Sequence, residues 1–481
     1  FSSTTLGTSS GATMLFFKKA DLNETTLNHV SFLDASRAIR VGADTEYTNG
    51  VSNNTGTLEG TNLLFNQADI FTDGYDSGAK LILRNSEVNA STIKGNYPRS
   101  EVIEIYDSNV TNTVLFSDSY NRGIILKNSR IIESQGAIGC CGANIVVEES
   151  FILDSVIYGT NNSNRLEINS SQIINTPIDL PSASTVKITN SVIDFESVTR
   201  NVSQGMNGGS QTFSTAITSQ NPTFSNNLFQ GERTVNAVSL SGTMNLDSNV
   251  FFSFKDAVTV SGTGKITNGS FADIAQYAFH NQSSNDVNAS GNYWGRSTLS
   301  EIKELTYDYY DDLNKGKALV EPFETSLQTD LHIAPPRKVE KIGVAGGVEI
   351  TWEANAEGDV AGYRVHYGSS SDYAYTSVEN VGNQQIHTIT GANLDDEISV
   401  TAYDAGASNL SDVNSVTGNY YNLSESWFSE AVYVANAPSI TQQPSPQNLS
   451  TGDDLQLSVS GSGKLLSYQW KKDGVNLTGQ T

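Results

Sequence analysis

A repeat of about 21 residues constrains this chain more than any other feature. Ser86, Ser108, Ser129, Ser150, Ser171 and Ser191 follow one another at intervals of 22, 21, 21, 21 and 20 residues. Two residues after each stands an aliphatic: Val88, Val110, Ile131, Ile152, Ile173 and Ile193. Three before each comes another: Leu83, Ile105, Leu126, Val147, Ile168 and Ile188. Five before each comes a third: Leu81, Ile103, Ile124, Ile145, Leu166 and Val186. The first strand alternates with period 2, so its two aliphatics share one face. The position two after the anchor begins a second strand beyond a bend. No stretch inside a repeat is long or periodic enough for a helix. A short all-β coil that repeats in register predicts a parallel β-solenoid.

The column before each anchor reads Asn85, Asp107, Asn128, Glu149, Ser170 and Asn190. Stacking brings equivalent residues to about 4.8 Å. Asn tolerates left-handed backbone at a bend and hydrogen-bonds along a stack, so Asn85, Asp107, Asn128 and Asn190 read as a structural ladder. Asn227, Asn249, Gly269 and Ser290 continue the anchors, with Phe229, Phe251 and Phe271 two residues after the first three. Leu58 with Leu63, Leu27 with Phe32, and Leu15 with Phe17 extend the pattern upstream. Roughly twelve coils make a rod on the order of 55–60 Å long. One interval, Ser191 to Asn227, spans 36 residues. Its excess, near 198–217, predicts an excursion, and excursions from solenoids cluster on functional faces.

Residues 291–295 read Gly-Asn-Tyr-Trp-Gly. An amphipathic helix is expected over about 300–314, with Ile302, Leu305 and Tyr309 on one face and Gly316 ending it. Tyr293, Trp294 and this helix would cap the stack and cover its open edge. This closing element, with Glu321-Pro-Phe323 after it, resembles that of right-handed parallel β-helix proteins of the pectate-lyase-like group. The resemblance covers about residues 1–325. It implies an all-β, right-handed parallel β-helix solenoid from a group of secreted carbohydrate-binding and carbohydrate-cleaving proteins.

A new composition starts at Ala334-Pro-Pro336. Thr351-Trp352, residues 362–367 and residues 398–404 alternate as sandwich strands do. They resemble a fibronectin type III module over 335–436, which implies that Trp352 and Tyr363 form its core. Pro444, Gly452, Leu455, Leu457, Val459 and Tyr468-Gln-Trp470 resemble the first half of a bacterial immunoglobulin-like module over 437–481. Such a sandwich needs roughly 100 residues, so the natural protein is expected to continue beyond Thr481. Phe1 likewise falls within a coil-like pattern, and the start is expected to be a processed or cut end.

Charge narrows the partners. Lys and Arg total 28 against 52 Asp and Glu, a net charge of −24. Phosphate backbones and anionic membrane surfaces repel such a chain, so nucleic acid is not expected as a partner. No apolar run is long enough to insert into a membrane. The adjacent Cys140 and Cys141 make no disulfide framework. They read as small buried residues or as a vicinal disulfide or reactive pair.

Glu133 and Asp154 lie four places after their anchors on adjacent coils, about 5 Å apart when stacked. Like charges that close bind a cation or raise one pKa. They are the candidate catalytic residues and the candidate metal ligands, with Ca²⁺ the cofactor such carboxylates would hold; the plain alternative is a solvated pair. Tyr97, Tyr106, Tyr120 and Tyr158 are the candidate ligand-binding aromatics, placed to stack on sugar rings. Asp308, Asp311 and Asp312, with Tyr307, Tyr309 and Tyr310, read as the wet face of the cap helix or as a Ca²⁺ or sugar site. Neither three clustered Asp, as in polygalacturonases, nor Asp ligands with a catalytic Arg, as in pectate lyases, is evident. The reading is a secreted or cell-surface, multi-module binding protein or adhesin. It would present a β-helix face to glycans or another surface, with the sandwiches as spacers, as cargo of a bacterial secretion system. The alternative is a polysaccharide lyase or hydrolase acting on an acidic glycan.

Overall fold

The computed structural model describes residues 2–6, 9–18, 25–42, 57–73, 80–95, 102–117, 123–138, 143–159, 164–182, 185–202, 209–326, 333–355, 360–369 and 375–404, and short stretches within 425–429, 439–442, 458–462 and 471–476. Tyr97, Tyr120, Cys140, Cys141 and Trp470 lie outside the described residues.

The chain forms a parallel β-solenoid. Nine successive turns between Lys80 and Asn281 each contribute three strands. In the first column, Lys80–Arg84 pairs with Val102–Tyr106, followed by Gly123–Lys127, Asn144–Glu148, Arg165–Asn169 and Thr185–Thr189. The second column runs from Glu87–Asn89 through Asn109–Thr111, Arg130–Ile132, Phe151–Leu153 and Gln172–Ile174 to Val192–Phe195. The third runs from Thr92–Gly95 through Val114–Ser117, Gln135–Ile138, Val156–Tyr158 and Ile178–Leu180 to Thr215–Gln220. None of the eighteen repeat aliphatics is more than 3% exposed. They are the core.

Each turn has two corners built alike. At the first, a residue in the left-handed region precedes a buried Ser. Asn85, Asp107, Asn128, Glu149, Ser170 and Asn190 have φ between 46° and 51°. The Ser Oγ then accepts the backbone N–H of the preceding anchor, as from Ser86 to Ser108 at 3.0 Å and from Ser129 to Ser150 at 3.1 Å. Each Oγ also donates to the carbonyl two residues back. Buried N–H groups that no strand would pair are satisfied this way. Side chains cross-link the ladder column outside: Asn128 donates to Asp107, and Asn226 to Asn190 at 2.9 Å.

The second corner repeats the device five residues later. Ser91, Thr113, Ser134, Ser155 and Thr176 form a second buried ladder, with Ser134 N–H donating to Ser155 Oγ at 3.0 Å. Ala90, Asn112, Glu133, Asp154 and Asn175 precede them, with φ between 46° and 49°.

Toward the C-terminal end the core turns aromatic. Phe229, Phe251, Phe271 and Trp294 stack with ring centroids 4.6, 5.2 and 4.8 Å apart. Trp294 is the last plate of that column, and Tyr293 bridges Ser270 and Glu324 beside it. The final rung of the anchor ladder is Asn292 rather than Ser290: its Oδ1 accepts the Gly269 N–H at 2.7 Å.

The cap helix is shorter than the sequence suggests. It spans Leu299–Glu304, with Thr298 and Glu301 forming a capping box. Thr306–Tyr307 then rejoins the third column beside Phe279 and His280. Asp308 accepts the N–H groups of Tyr310 and Ala318, and Asp311 accepts that of Asp308. Short carboxylates that capture nearby N–H groups favour turns over helix. The acidic run is therefore a folded turn, not a helix face.

Beyond Ile333, two three-stranded antiparallel sheets face each other. One holds Glu340–Val344, Gly347–Thr351 and Ile386–Thr390; the other holds Val360–Ser369, Ser377–Gly382 and Glu397–Asp404. Trp352 and Tyr363 meet edge to face in the core between them, with ring centroids 5.4 Å apart.

These sheets do not follow the solenoid as a spacer in series. They lie against its second face. In the early turns the outward residues of that face are polar: Glu87, Asn89, Asn109 and Thr111. From Phe151 on they become Phe151, Ile174, Leu228, Val250 and Phe252, all buried. Phe428 and Tyr375 cover Phe151 and Ile174, and Ala334 covers Leu228, Val250 and Phe252. Each such side chain gains about 1.5–3 kcal/mol from burial.

Candidate functional site

With the second face covered, the first and third faces remain open along the described turns, and the first carries the longer run of charged side chains. Its outward row reads Thr61, Arg84, Tyr106, Lys127, Glu148, Asn169 and Thr189, one residue per turn. Arg84 donates to Glu59 at 2.7 Å and lies 4.4 Å over the ring of Tyr106. Tyr106 donates its hydroxyl to Glu104 at 2.8 Å, and Lys80 pairs with Glu104 at 2.7 Å. Lys127 reaches Glu148 at 3.4 Å. Burial, and then the bond to Glu104, push the Tyr106 phenol up to about 12, so it stays a donor. Strand pleating holds these side chains upright, and the stack repeats them every 4.8 Å or so. The result is a flat face of charged and polar side chains around one aromatic ring, with Ile82, Ile125 and Val146 set among them.

Of the four candidate tyrosines, Tyr106 alone is described as part of this surface. Tyr158 is 2% exposed, in the third column between Ala137 and Asp179. Burial raises its phenol to about 12. It is not a stacking platform: the expectation of an exposed ring fails because this position of the third column is covered.

Glu133 and Asp154 do fall on adjacent turns, in the second-corner column. Their left-handed backbone gives a structural reason for short or polar side chains there. Asp154 does not wait for an added cation. The excursion folds as an antiparallel hairpin, Val198–Val202 against Gly209–Phe213, and Arg200 reaches back from it. Its guanidinium donates to Asp154 Oδ1 at 2.7 Å and to the Asn175 carbonyl at 2.9 Å. Burial raises the Asp154 pKa, and Arg200 opposes that rise. Among the described residues no group of three or more His, Cys, Asp or Glu is arranged to hold a metal ion. At Asp154 the place expected for a cation is thus taken by the guanidinium of Arg200.

The same corner carries more acid further along. Burial raises the pKa of Glu196, and neighbouring Glu232 adds to the rise. Asp194 is also raised by burial, against the opposing charge of Arg337. Arg337 comes from the segment leading into the two sheets. It donates to Asp194 at 2.7 Å and to the Gly231 carbonyl, and lies 3.9 Å from Glu196. The sequence reading missed Asp194, Glu196, Arg200 and Arg337. The only signal for Asp194 was its acid at an outward position of an otherwise apolar strand.

No family model matches this chain, and no curated protein matches it. One solved structure that does is a mutant tailspike protein of E. coli bacteriophage HK620 in complex with pentasaccharide, at 12% identity. The match covers 78% of this chain and 74% of that one, with a TM-score of 0.24. A likeness at that level carries no functional argument, and the β-solenoid rests on the strand register described above.

Proposed function

We propose that this chain is a glycan-binding protein of the extracellular space or cell surface, and that the first face of its solenoid is the binding surface. The observation that supports this most is the outward row centred on Arg84, Tyr106 and Glu104. It combines an aromatic ring, a guanidinium and a carboxylate on one flat, repeating surface. Hydroxyl-rich chains need such paired donors and acceptors, with a ring face for their C–H groups. No described helix is long and apolar enough to cross a membrane. In this reading the two sheets are a fibronectin type III-like module and the chain beyond is the start of an immunoglobulin-like one. Adhesin function and carriage by a bacterial secretion system belong to the same proposal. A glycan array probed with the full chain, and with Tyr106→Ala and Arg84→Ala, tests it. Binding that both substitutions weaken supports the face; binding unchanged in both removes it.

A second reading is favoured by one observation. Asp154, paired with Arg200, and Glu196, which feels the charge of Asp154, both have raised carboxyls, the kind of acid that polysaccharide cleavage uses. Depolymerisation of an acidic glycan, lost in Asp154→Asn, would establish it.

A further inference from the structure

From Thr215 on, the third face changes character. Its column continues from Thr215–Gln220 through Asn236–Ser241, Asp256–Val260 and Tyr277–Asn281 to Thr306–Tyr307. The central outward row reads Thr218, Ser239, Thr259, His280 and Tyr307, one residue per turn. All five are half-buried, upright on the pleated sheet, and about 4.8 Å from the next turn. Among the described residues, the hydroxyls of Thr218, Ser239 and Thr259 have no bonding partner.

Charge is the telling feature. In a chain of net charge −24, the four strands from Thr215 to Asn281 hold one carboxylate. It is Asp256, beside the row, and it is engaged by the Tyr277 N–H at 3.2 Å. Burial lowers the His280 pKa, so its imidazole is neutral at pH 7. The row ends on rings. Tyr277, His280 and Tyr307 meet at steep angles, with centroids 5.3, 5.5 and 4.7 Å apart.

Nothing in this row suits an ion. An apolar protein surface would bury its hydroxyls without partners, which is unfavourable. A chain of neutral sugars fits both parts. Its hydroxyls exchange hydrogen bonds with side chains that donate and accept, and its C–H groups lie against the rings.

We propose that the third face, from Thr218 to Tyr307, is a second binding surface whose occupant is a neutral glycan strand lying along the solenoid axis. The proposal rests on the glycan-binding reading above and adds a surface of opposite character to the charged first face.

Isothermal calorimetry on the full chain would test it, with cellohexaose, mannohexaose, xylohexaose and chitohexaose as probes. At least one should bind the native chain. Ser239→Arg sets a long charged side chain in mid-row and should weaken that binding at least tenfold. Thr218→Arg, one turn earlier, should do the same, and thermal unfolding confirms that each variant is folded. Binding retained in both variants overturns the surface. So does a native chain that binds none of the four probes. Neither result touches the first face, which the array and its Arg84 and Tyr106 variants decide by themselves.

Discussion

Arg337 and Asp194 are 143 residues apart in sequence and 2.7 Å apart in space. Their contact fastens the antiparallel sheets to the flank of the solenoid. Both side chains are largely withdrawn from water, at 21% and 12% exposure. Removing one partner from such a pair leaves the other charge stranded. The sheets therefore act as a brace on the second face and leave the first uncovered.

Replacing Arg337 with Met should destabilise the folded chain by about 2–4 kcal/mol at neutral pH. The loss should depend on pH in a definite sense. Burial already holds the Asp194 pKa above the ordinary Asp value of 3.8, and without Arg337 it rises further. A raised carboxyl favours the folded state below the unfolded value and opposes it as pH climbs through the folded one. The gap between native and Arg337→Met proteins should thus shrink as pH falls from 7 toward 4. Chemical unfolding at several pH values checks this; a gap that widens in acid would contradict it.

Asn128 has φ of 49°. Asn128→Gly should cost little, because glycine adopts that backbone freely. Asn128→Val should cost about 1–3 kcal/mol, since a β-branched residue resists the left-handed region. Equal melting temperatures for the two variants would show that the corner does not need that geometry.

The second ladder predicts a comparable sensitivity where the sequence looks unremarkable. Ser134 Oγ accepts the Thr113 N–H at 3.1 Å and donates to the Ile132 carbonyl at 2.8 Å. Ser134→Ala strands a buried donor and should cost about 1–3 kcal/mol. A change within about 0.5 kcal/mol, the range of surface substitutions, would mean that this ladder carries little.

His366 is fully buried, with Nε2 3.0 Å from Thr401 Oγ1 and the Arg364–Glu425 ion pair close by. Burial, and then Arg364, lower its pKa from 6.5 to about 3. The unfolded chain takes up a proton below 6.5 and the folded one does not. Its contribution is therefore complete above pH 6.5 and is lost progressively as pH falls toward 3. At about 1.4 kcal/mol per pH unit, the loss reaches roughly 4–5 kcal/mol at the acid end. His366→Gln should flatten the decline in stability between pH 6.5 and 4.5, read by thermal unfolding; an unchanged slope would rule His366 out as its source.

The solenoid was legible because one face of each strand must be buried every turn, which writes period 2 and period 21 into the same residues. The second ladder was equally present at five places past each anchor, in Ser91, Thr113, Ser134, Ser155 and Thr176, but it reads like ordinary loop Ser and Thr. The docking of the sheets left a trace as well, in the switch from Glu87 and Asn109 to Phe151 and Leu228 outside the second column. That trace becomes meaningful only once inward and outward positions are known. Arg200 and Arg337 were invisible because each acts across a distance in sequence that no local pattern records. Tyr158 shows the same limit: a tyrosine outside the repeat's apolar positions was read as exposed, and its cover was not recorded in any local pattern.

Hydroxyl-radical footprinting of the full chain tests the central claim most directly, with and without the glycan that gives the strongest array signal. The account predicts that bound glycan shields Tyr106 from oxidation, while Phe151 and Phe252, already covered by the sheets, stay unreactive in both states. Tyr106 oxidised equally with and without a saturating glycan would contradict the assignment of the first face as the binding surface.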